Sequence, residues 1–382
     1  MKILSIDTSC DDTSISIVST PKKGCFTILS NIVSSQEKLH QEYGGVYPSL
    51  AKREHQKNLV PVLQKALKGA KLLSEVRGVK GAKLLLKFKK LSEILEREPE
   101  LYKKLEKFLK KYKKPNIDAI AVTVGPGLEP CLWVGINFAR ALEHYWGIPV
   151  IQINHIEGHV LINFLNNDVK LPAIALIVSG GHTQIILVKK IGKYEIIGET
   201  RDDAAGECFD KTARILGLPY PGGPEIARMA SDSNKTSTQV ITMPRPMLHT
   251  KDYDLSFSGL KTAVLYDFKK RTKKQKGSKA YKIAMAKEIQ QSIIDVLIKK
   301  TLKATRDHGA KTVILGGGVS ANKELKRQFK KNIKKQLPKV QFLAPIPKLS
   351  TDNAVMIAIT ALLNKNNKKG VKAIKAQGNL RI

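Results

Sequence analysis

The sequence predicts an α/β fold that is built from two similar halves. The first observation is a pair of apolar strands around a small polar turn, found at residues 2–19 and again at 173–190. The second is a strand, a glycine-rich loop and a helix that follow in each half, at residues 117–142 and 311–329. This duplication is typical of the actin-like and sugar-kinase (ASKHA) fold, which holds a nucleotide in the cleft between two lobes.

We expect an N-terminal lobe at residues 1–150 and a C-terminal lobe at 151–382 that carries a basic tail. A lysine-rich segment, 68–114, interrupts the first lobe, with apolar residues at three- and four-residue steps. It predicts two or three inserted helices that end before Pro115. We interpret them as a solvated hairpin packed on the outside; a basic face for RNA or a partner is the alternative.

Composition indicates a cytoplasmic protein without a membrane partner. The chain has 382 residues and 42% hydrophobic residues, enough for two domains. No apolar run is long enough to span a bilayer, and the start turns polar too soon for a signal peptide. The four cysteines are scattered without CxxC spacing, which fits a reducing compartment and argues against a cysteine-based zinc site.

The charge distribution favours an enzyme that acts on nucleic acid. The formal net charge is +33, from 66 basic and 33 acidic residues. Basic residues concentrate at 268–282, at 323–339 and in the tail from Leu363, whereas acidic residues gather in the glycine-rich motifs. Such basic outskirts suit a polyanionic partner. A lysine-rich proteome would also raise the charge and is the competing explanation.

His155 and His159 in NHIEGHV predict a metal site. Residues four apart share one face of a helix, so two imidazoles can bind one ion while an oxygen ligand such as Asp352 of STDNA takes a third position. Two ordinary histidines are the alternative. A zincin peptidase has a glutamate directly after its first histidine. Ile156 stands there, and Glu157 lies about 200° around the helix from His155, so we discount peptide hydrolysis.

Three glycine-rich loops predict a nucleotide site. They are VSGGHT at 178–183, LPYPGGPEIARMA at 218–230 and GGGVSAN at 316–322. Glycine allows backbone N–H groups to approach a phosphate or nucleoside closely. No loop matches the P-loop pattern, and none forms the dinucleotide fingerprint after a suitable strand. Each alone is more often a tight turn, but three in the order that this fold requires favour a nucleotide.

The motifs together resemble the bacterial tRNA N6-adenosine threonylcarbamoyltransferase family (TsaD), formerly described as a glycoprotease family. Ten segments match in family order between residues 3 and 358, and only the 68–114 insertion and the basic tail lie outside them. The segments are IDTSCDDT, HQEYGGVYPSLAKREH, GPGLEPCLWVG, NHIEGH, VSGGHT, GECFDKTAR, YPGGP, DLSFSGLKTA, GGGVSAN and STDNA.

The resemblance implies roles for particular residues. The metal ligands would be His155, His159 and Asp352, holding one divalent ion, with Fe²⁺ favoured over Zn²⁺. Asp11 and Asp12 lie where the family keeps residues that turnover requires. The implied nucleotide-binding residues are Ile177, Val178, Ser179, Gly180, Gly181, Asp210, Gly223, Glu225 and Asn322.

The resemblance also implies a reaction and partners. The enzyme would transfer the threonylcarbamoyl group from threonylcarbamoyl-AMP to N6 of the adenosine 3′ of the anticodon, in tRNAs that read codons beginning with A. A paralogous non-catalytic subunit (TsaB-like) and an ATPase subunit (TsaE-like) would assist. This chain departs from the family at Asp7 and Asp12, where glutamate is usual, and at Ser49, where a glutamate commonly follows the proline.

Two other functions stay open at this point. One is another enzyme of the same fold, either a small-molecule carbamoyltransferase or a kinase; incubation with tRNA and with small acceptors would separate it from the tRNA enzyme. The other is a non-catalytic nucleotide-binding scaffold. Such paralogues lack the histidine pair that this chain has, so metal content distinguishes them.

Overall fold

A computed structural model describes residues 1–21, 25–76, 82–232, 241–364 and 374–382. The strands are β1 (Lys2–Asp7), β2 (Thr13–Ser19), β3 (Thr27–Ser34), β4 (Ala119–Gly125), β5 (Val150–Asn154), β6 (Ala173–Val178), β7 (Thr183–Lys190), β8 (Lys193–Glu199), β9 (Thr312–Gly316) and β10 (Gln341–Leu343). The helices are α1 (Glu37–Gln41), α2 (Pro48–Gly69), α3 (Ala82–Ile94), α4 (Pro99–Lys111), α5 (Glu129–Trp146), α6 (His155–Leu161), α7 (Ala205–Ile215), α8 (Gly222–Ala230), α9 (Ser258–Lys270), α10 (Lys273–Gly277), α11 (Lys279–Asp307), α12 (Lys323–Gln336) and α13 (Ala354–Leu363).

The chain divides into two compact units. Unit 1 comprises Met1–Asn167 together with Asp352–Ile382, and unit 2 comprises Asp168–Thr351. The sequence placed the boundary at residue 150 and the C-terminal tail with the second half. The units divide elsewhere because β5 completes the first sheet and α13 returns to pack against β1 and β2. The histidine pair and Asp352 therefore belong to the same unit.

Unit 1 contains a five-stranded sheet in the order β3-β2-β1-β4-β5. The first three strands are antiparallel, while β4 is parallel to β1 and β5 to β4. Strand residues alternate between the two faces. Leu4 and Ile6 join the apolar core that α2 and α5 complete, whereas Ser5 bonds to the start of α13. Coverage of both faces explains why β1 and β4 are almost continuously buried.

Unit 2 repeats this topology. Its sheet has the order β10-β9-β6-β7-β8, with an antiparallel β6-β7-β8 meander and with β9 and β10 joined in parallel on the other side of β6. Helices α7, α8, α9 and α11 bury their apolar stripes in one core with β6, β7 and β9. The predicted duplicated α/β architecture of the actin-like type is confirmed.

The inserted segment forms two helices in its described part, α3 and α4. Leu101, Leu105 and Phe108 of α4 are buried in the core of unit 1, so this helix is an integral layer of the unit. Residues 77–81 of the segment, and residues 365–373 of the predicted basic tail, lie outside the described residues. Among the helices that are described, none combines the length and apolar character needed to cross a bilayer.

Candidate metal centre

The histidine pair lies at the start of a short helix that follows β5. Asn154 caps α6, since its side-chain oxygen accepts the N–H groups of Ile156 at 2.8 Å and Glu157 at 3.1 Å. This cap fixes the first turn, and the four-residue spacing then places both imidazoles on one face. His155 and His159 are both buried, the second with 1% of its surface exposed.

Asp352 is positioned by the residues at the start of α13. Ser5 Oγ donates to Ala354 O at 2.6 Å, and Ala354 N donates to Ser14 Oγ at 2.8 Å, which fixes this turn on β1 and β2. Gly158 of α6 lies against α13, where a Cβ would be 3.1 Å from Met356 Cγ. A glycine between the two histidines thus allows α13, and Asp352 just before it, to approach them closely.

The three side chains converge on one point. Asp352 Oδ1 lies 3.4 Å from His155 Nε2 and 3.2 Å from His159 Nε2. The two rings are nearly perpendicular, at 84°, with their centroids 4.7 Å apart. Two ligand atoms at about 2.1 Å from a tetrahedral ion are about 3.4 Å apart. The structure therefore brings the predicted ligand atoms within 4.8 Å of one another, and both distances from Asp352 suit a four-coordinate ion.

Unsatisfied polar atoms show that this pocket fits a cation. His159 Nε2 is buried without a hydrogen-bond partner, although buried polar atoms in proteins are nearly always paired. The negative charge of Asp352 raises the pKa of the Asp11 and Asp12 carboxyl groups. A divalent ion would satisfy the imidazole nitrogen and offset this negative charge.

Ion pairing sets the charges of the His155 imidazole and the Asp352 carboxyl group. Burial alone lowers the pKa of His155, but the carboxylates of Asp352 and Asp7 outweigh it and raise that pKa to about 10. Burial raises the pKa of Asp352, and the two imidazoles more than reverse this, so it is lowered. Because a metal-binding imidazole must be neutral, an ion would displace the proton from His155.

Asp11 and Asp12 lie in the turn between β1 and β2. Burial raises the pKa of both carboxyl groups, to about 7 for Asp12, and the negative charge of Asp352 acts in the same direction. One oxygen of Asp12 is buried without a hydrogen-bond partner. The structure therefore places both predicted turnover residues within electrostatic reach of the ligand set. A carboxyl group with a pKa near neutrality can exchange a proton under working conditions.

The sequence analysis gave no role to His55, which holds the acidic turn in place. Its ring is fully buried, with Nε2 at 2.9 Å from Cys10 O and Nδ1 at 2.7 Å from Thr13 Oγ1. Burial lowers its pKa to about 4, so the ring is neutral and connects α2 to the turn. Its place at the end of the HQEYGGVYPSLAKREH motif was the available signal.

The predicted nucleotide residues all lie in unit 2, where the first group follows β6. Ile177 and Val178 are strand residues with fully buried side chains, which leaves only their backbone for a ligand. Ser179 forms a tight turn, since its N–H donates to His182 O at 2.8 Å. A Cβ at Gly180 or Gly181 would meet nothing within 4 Å, so the backbone is openly accessible there.

The other predicted side chains of unit 2 are already hydrogen-bonded within the protein. Asp210 accepts the N–H of Gly222 at 2.7 Å and is also bonded by the N–H of Gly223. Asn322 caps α12 through a 3.0 Å bond from Leu325 N, while its amide donates to Gln290. Glu225 pairs with Arg228 at 2.7 Å. These side chains order the loops on which they lie.

Close backbone approaches at glycines bring these loops together. A Cβ at Gly317 would overlap Val178 O, and one at Gly206 would overlap Ser179 O. Gly222 lies against Asp210 in the same way. The loops at 178–183 and 316–322 therefore contact each other, while the loop at 218–230 contacts α7, whose first turn lies against Ser179.

Comparison with solved structures supports the fold. HypF in a phosphate- and nucleotide-bound form aligns with 97% of this chain and 56% of its own length, at a TM-score of 0.54 and 12% identity. HypF from T. kodakarensis aligns with 95% of this chain and 48% of its own length, at a TM-score of 0.55 and 10% identity. At these identities the likeness shows the fold alone.

Comparison with sequences identifies the family. Its profile, described as TsaD: tRNA N6-adenosine threonylcarbamoyltransferase, matches residues 27–79 and 99–359. The gap between the matches, 80–98, is narrower than the predicted 68–114 insertion and leaves α4 within the matched residues.

Two relatives carry this same name. The one from Geobacillus kaustophilus is 39% identical over 379 residues, which is 99% of this chain and 96% of the relative. The one from Thermosipho africanus is 41% identical over the full length of both chains. The chain therefore belongs to the tRNA N6-adenosine threonylcarbamoyltransferase family and is a tRNA-modifying transferase.

Proposed function

We propose that this chain transfers the threonylcarbamoyl group from threonylcarbamoyl-AMP to N6 of the adenosine 3′ of the anticodon, in tRNAs that read codons beginning with A. The convergence of His155, His159 and Asp352 carries the proposal, since a non-catalytic scaffold has no need of a buried, unsatisfied ligand set. The three residues would hold one divalent ion, with Fe²⁺ favoured over Zn²⁺; both suit two imidazoles and a carboxylate.

The reaction is an acyl transfer to a weak nucleophile. The adenine N6 amine attacks the carbamoyl carbon, a C–N bond forms, and the bond from that carbon to the phosphate oxygen breaks. AMP leaves with the bonding electrons, and N6 loses a proton. The ion, when bound, supplies Lewis-acid polarisation of the threonylcarbamoyl group.

The acidic turn would handle the proton. Asp11 is half-buried, and its raised pKa makes it a stronger base than an exposed aspartate. The negative charge of Asp352, one of the proposed ligands, contributes to this raised pKa. In this proposal Asp11 accepts the amine proton, and Asp12 sustains the electrostatic environment of the turn.

Unit 2 would hold the adenylate half of the donor. The open backbone at Gly180 and Gly181 suits close approach by a phosphate or ribose, and so does Gly223 at the start of α8. Three polar side chains would support adenylate binding by ordering these loops and by contacting the ligand through any accessible polar atoms. They are Asp210, Glu225 and Asn322.

The basic surfaces would bind the RNA phosphates. Helix α12 buries Leu325, Phe329 and Ile333. Its exposed basic residues are Lys323, Arg327, Lys330, Lys331, Lys334 and Lys335. Phosphate contacts by such residues make affinity strongly salt-dependent. The target adenosine lies in a single-stranded loop, so its edge is reachable without opening a duplex. The enzyme would act in the cytoplasm, together with a TsaB-like paralogue and a TsaE-like ATPase.

The test is reconstitution with a matched pair of variants. Hypomodified tRNA and threonylcarbamoyl-AMP are incubated with the wild type, His159→Ala or His144→Ala, with and without helper subunits, and the modified nucleoside is quantified by mass spectrometry. We expect His159→Ala to lose metal and at least about 100-fold of the rate. His144 is an exposed histidine of α5 in the same unit, so its variant should match the wild type. Full metal content and full modification by His159→Ala would refute the proposal.

A further inference from the structure

A fourth buried carboxylate lies behind the ligand set. Asp7 ends β1 and has 1% of its surface exposed. Its Oδ2 is 3.6 Å from His155 Nδ1, on the ring nitrogen that does not face Asp352. Both of these atoms are buried and neither has a hydrogen-bond partner. Two complementary orphan atoms therefore face each other across a short gap.

The carboxylate is held in a fixed orientation. Ser9 N donates to Asp7 Oδ1 at 3.2 Å, which leaves Oδ2 directed at the imidazole. The strand that carries Asp7 is paired on both sides, by β2 and by β4. Asp7 is thus part of a rigid element, whereas His155 lies at the first turn of a seven-residue helix. Asp7 can therefore orient the imidazole.

This geometry matches a known requirement of metal-binding histidines. An imidazole that binds an ion through Nε2 carries its proton on Nδ1, and a carboxylate acceptor there fixes the tautomer and ring orientation and raises the basicity of the ligand nitrogen. We infer that Asp7 is a positioning residue for the metal centre: it accepts the Nδ1 proton of His155 and holds Nε2 toward the ion. The inference rests on the proposed metal site and adds a residue to it.

The experiment measures metal affinity directly and does not depend on turnover. The purified full-length chain is titrated with Zn²⁺ in competition with a chromophoric chelator, for the wild type, Asp7→Asn, Asp7→Glu and Asp118→Asn. We expect Asp7→Asn to weaken binding by about 10- to 100-fold. Asp7→Glu restores the charge with one more methylene of reach across the 3.6 Å gap, so it should bind within about threefold of the wild type.

Asp118→Asn is the matched control. Asp118 is an exposed residue that accepts the N–H of Lys2 at the opposite end of β1, so it receives the same substitution away from the pocket. Its variant should bind Zn²⁺ as the wild type does. Unchanged affinity in Asp7→Asn overturns the inference, and so does an equal loss in Asp7→Asn and Asp7→Glu, which would indicate a packing role.

A second measurement uses only the wild type, in case Asp7→Asn does not fold. In the Zn²⁺-loaded protein, long-range ¹H–¹⁵N spectra of the imidazoles should show His155 protonated at Nδ1 and metal-bound at Nε2. The reverse tautomer overturns the inference. Failure of the wild type to bind Zn²⁺ or Fe²⁺ at all would instead refute the proposed function, so the two failures are distinguishable.

Discussion

The two units share one topology, yet they build their functional groups from different parts of the chain. In unit 1, side chains converge and leave polar atoms unsatisfied, as His159 Nε2 and Asp7 Oδ2 show. In unit 2, the side chains of Asp210 and Asn322 are already hydrogen-bonded, and the backbone is open at Gly180, Gly181 and Gly318.

The difference indicates which groups each unit would use to bind a ligand. Substitution of a proposed ligand in unit 1 removes an atom that no other group in the pocket supplies. A backbone site tolerates side-chain changes as long as the loops keep their shape. Substitutions in unit 1 should therefore act on chemistry, and those in unit 2 should act through loop geometry and stability.

The largest expected effect contrasts one aspartate from each unit. Asp352→Ala removes the carboxylate that both imidazoles face, and we expect loss of the metal together with at least about 100-fold of the transfer rate. Asp210→Asn should keep the metal and weaken adenylate binding by about tenfold, because the loop at Gly222 loses a charge-assisted bond worth about 1.5–3 kcal/mol.

Elemental analysis and calorimetric titration with AMP measure the two outcomes. If Asp210→Asn also emptied the metal site, the proposed division of labour between the units would be wrong.

A second test compares two adjacent glycines of unit 2. Gly317 has φ +83° and no room for a Cβ beside Val178 O, so Gly317→Ala should cost about 2–4 kcal/mol of unfolding free energy. A Cβ at Gly318 would meet nothing within 4 Å, so Gly318→Ala should change stability by less than about 0.5 kcal/mol while weakening AMP binding. Urea unfolding and calorimetry separate the two effects, and equal destabilisation by both would contradict the structure.

The smallest effect is a pH dependence in unit 1. The pKa of Asp12 rises from an ordinary 3.8 to about 7 in the folded chain. Between those values the folded state keeps a proton that the unfolded state releases, so this group's contribution to stability falls as pH rises and stays low above pH 7.

Asp12→Asn removes the loss of unfolding free energy that ionisation of this carboxyl group causes. Relative to the wild type, the variant should gain about 1–3 kcal/mol of unfolding free energy between pH 4 and pH 8. Urea unfolding of both proteins across this pH range measures the difference. The pKa of His55 is shifted in the opposite direction, but its contribution cancels because both proteins contain His55. A difference that does not change with pH would show that Asp12 is not held in its neutral form.

Much of this arrangement could be predicted from the sequence, because it rests on local patterns. Strand alternation and glycine-rich turns predicted the duplicated halves, and the spacing of His155 and His159 predicted that they share a face. The unit boundary could not be predicted, since it depends on α13 returning to β1 and β2 through contacts that are distant in sequence. The approach of Asp7 to His155 was equally hidden, because the two residues are distant in sequence.

The polar residues of unit 2 illustrate a different limit. The sequence motif shows that Asp210 and Asn322 lie at suitable positions, but not whether their side chains point to a ligand or bond to their own loops. In the structure both are hydrogen-bonded to neighbouring backbone N–H groups. A motif specifies residue identity and spacing, whereas the partner of a side chain depends on packing between segments.

The discontinuity of unit 1 has a consequence for biosynthesis. All of Asp168–Thr351 lies between His159 and Asp352, so the ribosome completes unit 2 before it makes the third ligand. Domains generally fold as units during synthesis, the N-terminal one first. In this chain, the face of β1 and β2 that α13 covers stays exposed until α13 has been synthesised, whereas unit 2 can fold before then. A growing chain therefore cannot form the proposed three-residue site until all of unit 2 has been synthesised.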